Sequence, residues 1–285
     1  MQVITEIRRM QRTAEKARCD GRRIGFVPTM GYLHEGHLSL IRRAGQLSQL
    51  VVVSIFVNPA QFGPQEDLES YPSDLPQDTQ LSQEAGCDIL FVPQAEAMYP
   101  PGHCTVVEVQ ELTKVLCGAA RPGHFRGVTT VVAKLFNIVK PHVAVFGQKD
   151  AQQALVIRQM VRDLDQDLEI EIAPTVREPD GLAMSSRNAY LTPQERAQAP
   201  VLYRSLEWSG EQIVSGERQA DSLIRGITRM IDQTQGTIDY IAVVDAERLQ
   251  PLQRLRGEVL IALAVKFGRA RLIDNLLVQV GEGQG

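Results

Sequence analysis

Apolar positions in the first 175 residues switch repeatedly between a helical period and short continuous runs. Ile7, Met10, Ala14 and Ala17 share one helical face, which predicts a helix over 5–20 stopped by Gly21. Ile24 to Pro28 is a short apolar run that reads as a buried strand. Leu38, Ile41 and Ala44 then return to helical spacing. Leu50 to Val57 is β-branched and nearly all apolar, the pattern of a strand covered on both faces of a parallel sheet. Ser73 is expected to cap a helix over 74–85 that Gly86 closes, and Asp88 to Pro93 reads as a third strand. Thr105 to Val109 is a short strand candidate, and Arg121 to Gly127 reads as a loop. Val128, Val131, Val132, Leu135 and Val139 predict a helix ended by Pro141. His142 to Phe146 and Leu168 to Ala173 complete the strands, with a helix running to about Asp163 between them.

This alternation predicts an α/β fold with a Rossmann-like, doubly wound parallel sheet. Polar, glycine-containing stretches follow the first, second, fourth and fifth predicted strands, and ligands bind beyond the carboxyl ends of such strands. After Arg187 the texture changes. Thr192-Pro193-Gln194-Glu195 is a capping box with proline at the first helical position. Helices are expected near 193–214 and 219–234, strands over Ile238–Val244 and Val259–Phe267, and a solvated turn at Gly268 to Arg271. The division predicted is a domain over 1–176 and a smaller C-terminal α+β domain over 177–285, with a lid role inferred for the latter because Ser185 to Arg187 lie at its entrance.

A length of 285 residues allows a sizeable core and one or two domains. The net charge of −4 argues against a nucleic-acid surface, while leaving room for a local anion pocket. Charged residues interrupt the N-terminal stretch, so no signal peptide is expected, and no run approaches a membrane span. Cys19, Cys87, Cys104 and Cys117 show no CxxC spacing and read as reduced thiols of a cytoplasmic protein.

The candidate chemistry centres on Met30-Gly31-Tyr32-Leu33-His34-Glu35-Gly36-His37, which delivers two histidines from a strand to a helix N-terminus. Such an end favours negative charge, and imidazoles add hydrogen bonds that tighten on a phosphate as charge develops. Gly36 leaves room for close approach. An HxxH pair alone is more often solvated or core-satisfied, and a zinc site lacks the HExxH pattern and a third ligand nearby, so no metal ligands are expected. There is no P-loop, GxGxxG or GxSxG. Phosphate binding would fall to the histidine helix, Lys149 and Ser185-Ser186-Arg187. Gln61 and Gln153 can orient a carboxylate without quenching its nucleophilicity. The breaker-rich segment 63–75 is the expected closing loop.

Pro28-Thr29-Met30-Gly31 with His34-Glu35-Gly36-His37, Phe56-Val57-Asn58-Pro59 with Gln61-Phe62, Arg121 to Gly127, Phe146-Gly147-Gln148-Lys149-Asp150 and Met184-Ser185-Ser186-Arg187-Asn188 stand in one order. As a set they closely resemble the pantothenate synthetase (pantoate–β-alanine ligase) family, and Arg271-Leu272-Ile273-Asp274-Asn275 also looks like it. That family is similar to HxGH nucleotidylyltransferases and class I aminoacyl-tRNA synthetases. The resemblance implies ATP-dependent condensation of (R)-pantoate with β-alanine through a pantoyl-adenylate, releasing pyrophosphate and AMP. It implies that His34, His37 and Lys149 are catalytic, with His37 the proton donor. Met30 to His37, Gly147, Gln148, Lys149, Asp150, Val176 and Met184 to Arg187 would bind ATP. Gln61, Gln153, Asn58, Tyr71 and Arg121 would bind pantoate and β-alanine. It further implies Mg²⁺ on the phosphates, with few protein ligands, and a homodimer. Tyr32 stands where the family pattern suggests a small residue, and Ser73 where it often has arginine. The alternatives are a nucleotidylyltransferase of the same superfamily, which leaves the glutamines unexplained, and a silent nucleotide sensor, which would have lost His34, His37 or Lys149.

Overall fold

Six strands, every pair parallel, form the larger sheet: β1 (Gln2–Ile4), β2 (Ile24–Thr29), β3 (Leu50–Ile55), β4 (Ile89–Phe91), β5 (Val143–Gly147) and β6 (Glu169–Ala173). This is a computed structural model that describes residues 1–64 and 66–281. The strand order is β1-β4-β3-β2-β5-β6. The chain winds outward from β2 through β3 and β4, then returns to β5 beside β2. The direction of winding reverses there, so the carboxyl ends of β2 and β5 frame the switch point of the sheet.

Helices α1 (Ile7–Cys19), α2 (Glu35–Leu47), α3 (Leu75–Glu84), α4 (Ala95–Met98), α5 (Cys117–Ala120), α6 (His124–Val139) and α7 (Ala151–Asp163) interleave with these strands in sequence. Leu38, Ile41 and Ala44 of α2 pack on Val27, Val51, Val53, Leu90 and Val145 of the sheet. Each fully buried Val, Leu or Ile contributes about 1.5–3 kcal/mol, so the helical stripe in the sequence pins α2, and its N-terminus, to the sheet.

The chain divides into two units. One holds residues 1–114, 121–148 and 152–174, and the other residues 115–120, 149–151 and those from 175 onward. The second unit is built on an antiparallel sheet of β7 (Thr237–Asp245), β8 (Gly257–Phe267) and β9 (Ala270–Val280), in that order. Helices α8 (Pro193–Gln198), α9 (Val201–Val214) and α10 (Ala220–Ile231) accompany it. Val259, Ile261, Leu263 and Val265 alternate along β8 and share a core with Leu202, Leu206, Leu223 and Ile227.

The doubly wound sheet and the smaller α+β unit agree with the sequence pattern. Several local expectations do not. The pattern misses β1, which is only three residues long and has Val3 exposed. It misses β9 because Arg271, Asp274 and Asn275 interrupt its apolar run. Ala270 and Arg271 belong to that strand rather than to a turn. No strand forms over 105–109. Instead the Val107 N–H donates to Thr130 Oγ1 at 3.0 Å and its carbonyl accepts from Thr129 Oγ1 at 2.6 Å, so α6 side chains replace a ladder. Helix α6 starts at His124, four residues earlier than the apolar run suggests, because Gly123 supplies a left-handed N-cap with φ +83°. Asp74, not Ser73, caps α3, its carboxylate accepting from the Gln77 N–H at 3.1 Å. The helix expected over 193–214 is two helices, α8 ending at Gln198 and α9 resuming after Pro200.

Candidate active site

Beyond β2 the chain turns through Met30 to Leu33 and enters α2. Gly31 takes φ +89° and Tyr32 φ +51°. A Cβ at Gly31 would lie 2.9 Å from Asp78 Oδ2 and 3.0 Å from Ile55 Cγ2, so only glycine fits this turn. Asp78, buried on α3, accepts the Tyr32 N–H at 2.8 Å and the Leu33 N–H at 2.6 Å. Burial pushes the Asp78 carboxyl up, and these two amides pull it back only in part. Asp78 therefore fixes the turn that leads into the histidines. No signal in the sequence marks it, since its partners lie 45 and 46 residues away.

His34 is the N-cap of α2. The Gly36 N–H donates to His34 Nδ1 at 3.1 Å, and the His34 N–H donates to His37 Nδ1 at 3.3 Å. A backbone N–H can only donate, so both Nδ1 atoms carry lone pairs and each neutral ring holds its proton on Nε2. The ring centroids are 4.1 Å apart. Two imidazole Nε2–H donors thus sit at the positive end of a 13-residue helix. Glu35 faces elsewhere, paired with Arg42 on the exposed side of α2.

After β3, Asn58 caps a single turn over Pro59–Gln61, and both Asn58 and Gln61 are buried. Asn58 Nδ2 donates to Gln61 Oε1 at 3.0 Å and to the Gly127 carbonyl at 3.1 Å. Gln61 Nε2 lies 3.1 Å from Met30 Sδ, which joins the turns after β2 and β3. Gly127 of α6 permits this packing, because a Cβ there would lie 2.2 Å from the Ala60 carbonyl oxygen. Arg121 clasps Glu66 through Nε at 2.6 Å and Nη2 at 2.7 Å, and its Nη1 lies 2.9 Å from His124 Nε2. His124 Nδ1 meets the Gln61 carbonyl at 2.9 Å. Burial pushes the Glu66 carboxyl up, but Arg121 and the Gly63 amide outweigh it and hold it at about 2. Tyr71 stacks edge-on against Phe62, with ring centroids 5.9 Å apart. Of the segment 63–75, Gln65 lies outside the described residues. Gln153 is half-buried on α7, while its neighbour Gln152 is buried and donates to the Leu112 carbonyl at 2.8 Å. Gly147 ends β5 and Gln148 follows it, both half-buried.

The second unit gathers the other candidates. Lys149 and Asp150 group with it, and the Lys149 carbonyl accepts from Asn275 Nδ2 at 2.9 Å. Asp274, next to Asn275 on β9 and 2% exposed, receives the Arg177 guanidinium at 2.6 and 3.0 Å. Burial pushes the Asp274 carboxyl up against the pull of Arg177. Arg177 lies 4.0 Å over the Tyr203 ring and also reaches the Gly181 carbonyl at 3.1 Å. The Met184 N–H donates to the Val176 carbonyl at 3.0 Å. Ser185 caps the turn Ser186–Tyr190, accepting from the Arg187 N–H at 3.3 Å, and Ser186 is buried. Strand β9 therefore holds both the Lys149 backbone and the loop that carries Val176 and Met184 to Arg187. The candidates fall into two sets, one per unit. Asp78, Glu66, Tyr99, whose hydroxyl lies 2.8 Å from Asn58 Oδ1, and the roles of Asp274 and Asn275 are supporting features that the sequence does not mark.

The profile of the family described as Pantoate-beta-alanine ligase matches residues 2–277. A pantothenate synthetase of Pelotomaculum thermopropionicum is 57% identical over 276 residues, covering 96% of this chain and 97% of its own. One from Heliobacterium modesticaldum is 56% identical over 281 residues, covering 98% and 100%. Among solved structures, pantothenate synthetase from Thermus thermophilus superposes with a TM-score of 0.92 at 46% identity, covering 99% of this chain and 100% of that one. Pantoate-beta-alanine ligase from Francisella tularensis, complexed with beta-gamma ATP and beta-alanine, gives a TM-score of 0.79 at 36% identity and 97% coverage of each chain.

Proposed function

Given that the chain belongs to the pantoate-beta-alanine ligase family, we propose that it condenses (R)-pantoate with β-alanine to form pantothenate, with ATP cleaved to AMP and pyrophosphate. The observation that carries this reading is that relatives of one activity match the chain over nearly its whole length. The ATP and β-alanine named in the Francisella tularensis complex fit the same substrates.

In the first step the pantoate carboxylate attacks the α-phosphorus in line and pyrophosphate leaves. In the second, the β-alanine amine attacks the acyl carbon of the adenylate, loses a proton, and AMP leaves. No protein nucleophile is required, so catalysis rests on positioning and on stabilising charge. His34 and His37 are suited to both, because their Nε2–H groups donate from a helix N-terminus, where charge on the reacting phosphates would be met. His37 is assigned as the proton donor. Lys149, Ser185, Ser186 and Arg187 hold the triphosphate, and Met30 to Leu33, Gly147, Gln148, Asp150, Val176 and Met184 line the nucleotide. Gln61 and Gln153 take the pantoate carboxylate and hydroxyls, with Asn58, Tyr71 and Arg121 around them.

Mg²⁺ enters this reading with the nucleotide. Phosphate oxygens and water would supply most of its ligands. Bound there, it would neutralise phosphate charge. Among the described residues no helix is long and apolar enough to cross a membrane. A cytoplasmic homodimer is assigned on the family's pattern, and sedimentation velocity at micromolar protein checks the dimer.

The test of the reaction is pyrophosphate release from ATP and pantoate, with and without β-alanine. A burst near one per active site without the amine, followed by turnover when it is added, is the expected result. Release that ignores pantoate and β-alanine, or turnover on a phosphorylated acceptor instead, would overturn the assignment.

A further inference from the structure

We propose that Asn188 is a positioning residue for adenylate formation. It clamps the turn that carries Ser185, Ser186 and Arg187 to the hairpin over 176–184, and the ion pair of Glu178 with Arg196 holds that clamp in place. The inference rests on the reading of Ser185 to Arg187 as triphosphate contacts.

The chain folds back on itself before it reaches these residues. The Gly181 N–H donates to the Glu178 carbonyl at 2.9 Å and closes a turn with Pro179 second and Gly181 last, the places these residues favour. The Glu178 N–H donates to the Leu182 carbonyl at 2.8 Å and the Met184 N–H to the Val176 carbonyl at 3.0 Å, so the two arms are paired. The next turn is closed within itself, by the Arg187 N–H on Ser185 Oγ at 3.3 Å and the Asn188 N–H on the Ser185 carbonyl at 3.0 Å. Bonds of that kind fix the shape of the turn but not its angle to the hairpin. The Asn188 side chain ties the two together. Its Nδ2 donates to Glu178 Oε1 at 2.8 Å and to the Ala183 carbonyl at 3.2 Å, one contact on each arm. Both partners can only accept, and Asn188 Oδ1 is buried with no partner among the described residues, so the amide acts through its two N–H groups.

The Glu178 carboxylate is itself held. Arg196, on α8, donates through Nη2 to Glu178 Oε2 at 2.6 Å and through Nη1 to Asp180 Oδ2 at 2.5 Å, so one guanidinium spans both carboxylates at the hairpin tip. Glu178 thus gives one oxygen to Arg196 and the other to Asn188. A hydrogen bond to a charged group is roughly twice as strong as a neutral one, which makes Glu178 the stronger of the two arms of the clamp. The consequence for the reaction follows from its order. Pyrophosphate leaves in the first step, so contacts with the β- and γ-phosphates act before the adenylate forms and not after. A turn that loses its angle to the hairpin slows adenylate formation and spares the attack by β-alanine.

The experiment times the two steps separately in the full-length enzyme. Asn188→Asp keeps the shape of the side chain and puts acceptors where both donors stood. The pyrophosphate burst from ATP and pantoate is expected to slow about tenfold, the worth of one hydrogen bond to a charged group. β-Alanine is then added to enzyme whose burst is complete, and pantothenate formation in that single turnover should stay within about twofold of the native rate. A general structural role would slow both steps alike. Combining Asn188→Asp with Glu178→Gln exchanges donor and acceptor, since the new amide donates to the new carboxylate while its oxygen still accepts from Arg196. The burst should then recover by about threefold. Glu178→Gln alone leaves one oxygen for two donors and is expected to slow the burst about threefold with the same split, which tests the clamp where Asn188→Asp does not fold. An unchanged burst, equal slowing of both steps, or a doubly exchanged protein no faster than Asn188→Asp would overturn the proposal. If the native enzyme gives no pantoate-dependent burst, the ligase reading falls first and this inference falls with it.

Discussion

Each unit fixes its candidate site loop with a buried aspartate, but the two aspartates have different partners. Asp78 in the first unit accepts two backbone N–H groups. Asp274 in the second unit receives a bidentate guanidinium, with Arg177 21% exposed and Asp274 1% exposed at the side chain. In both, burial pushes the carboxyl up and the partners pull it back. The difference lies in what remains when the aspartate is removed. Loss of Asp78 strands two neutral donors in one turn, whereas loss of Asp274 strands a charge. A backbone-bonded carboxylate shapes a turn locally, while a charge pair ties together segments far apart in sequence, here 97 residues.

The sharpest way to break this comparison is Asp274→Ala. It leaves the Arg177 charge uncompensated and is expected to cost about 3–5 kcal/mol in denaturant unfolding. A loss below about 1 kcal/mol would mean that Arg177 finds water and that the pair does not anchor the loop. Asp78→Asn should cost less, about 1–3 kcal/mol, because the amide keeps one acceptor and turns its NH₂ toward the other donor. The loss of activity should be the larger effect there, read as a slower pyrophosphate burst, since the Met30–Leu33 turn leads directly into His34 and His37.

The pH dependences of two variants should slope in opposite directions. Glu66 has its folded pKa depressed from 4.5 to about 2, so its contribution is complete above 4.5 and is lost as pH falls toward 2. The difference in melting temperature between the native protein and Glu66→Gln should therefore be present at about pH 6 and close on acidification. Asp78 has its folded pKa raised, so ionisation within the fold opposes stability as pH rises from 3.8 through the folded value. The gap between the native protein and Asp78→Asn should be widest in acid and narrow as pH rises. Parallel slopes would show that the two carboxylates do not differ as their partners imply. The smallest effect is expected at the surface. Thr192→Ala, which removes the cap of α8, should cost about 1 kcal/mol in the same unfolding measurement.

Much of the fold was legible because it depends on local periodicity. The stripe of Leu38, Ile41 and Ala44, the apolar run of β3 and the Thr192–Glu195 box each act within a few residues, so composition and spacing define them. The same holds for the order of candidate motifs at the strand ends. Where the pattern failed over 105–109 and at β9, a distant partner had replaced the local signal. Thr129 and Thr130 take over the backbone of Val107, and β9 carries an arginine and an aspartate that pair with Asp239 and Arg177.

The sequence by itself determined the alternation of elements, the parallel sheet and the histidine turn at a helix N-terminus, because sterics and hydrophobic period act along the chain. Only the tertiary structure decided which ring nitrogen of His34 and His37 carries the proton, which way the Asn58 and Gln61 amides point, and what Asp78 and Asp274 hold. A hydrogen bond depends on where donors and acceptors meet in space, and the partners of Asp78, Tyr99 and Asp274 stand 41 to 97 residues away along the chain.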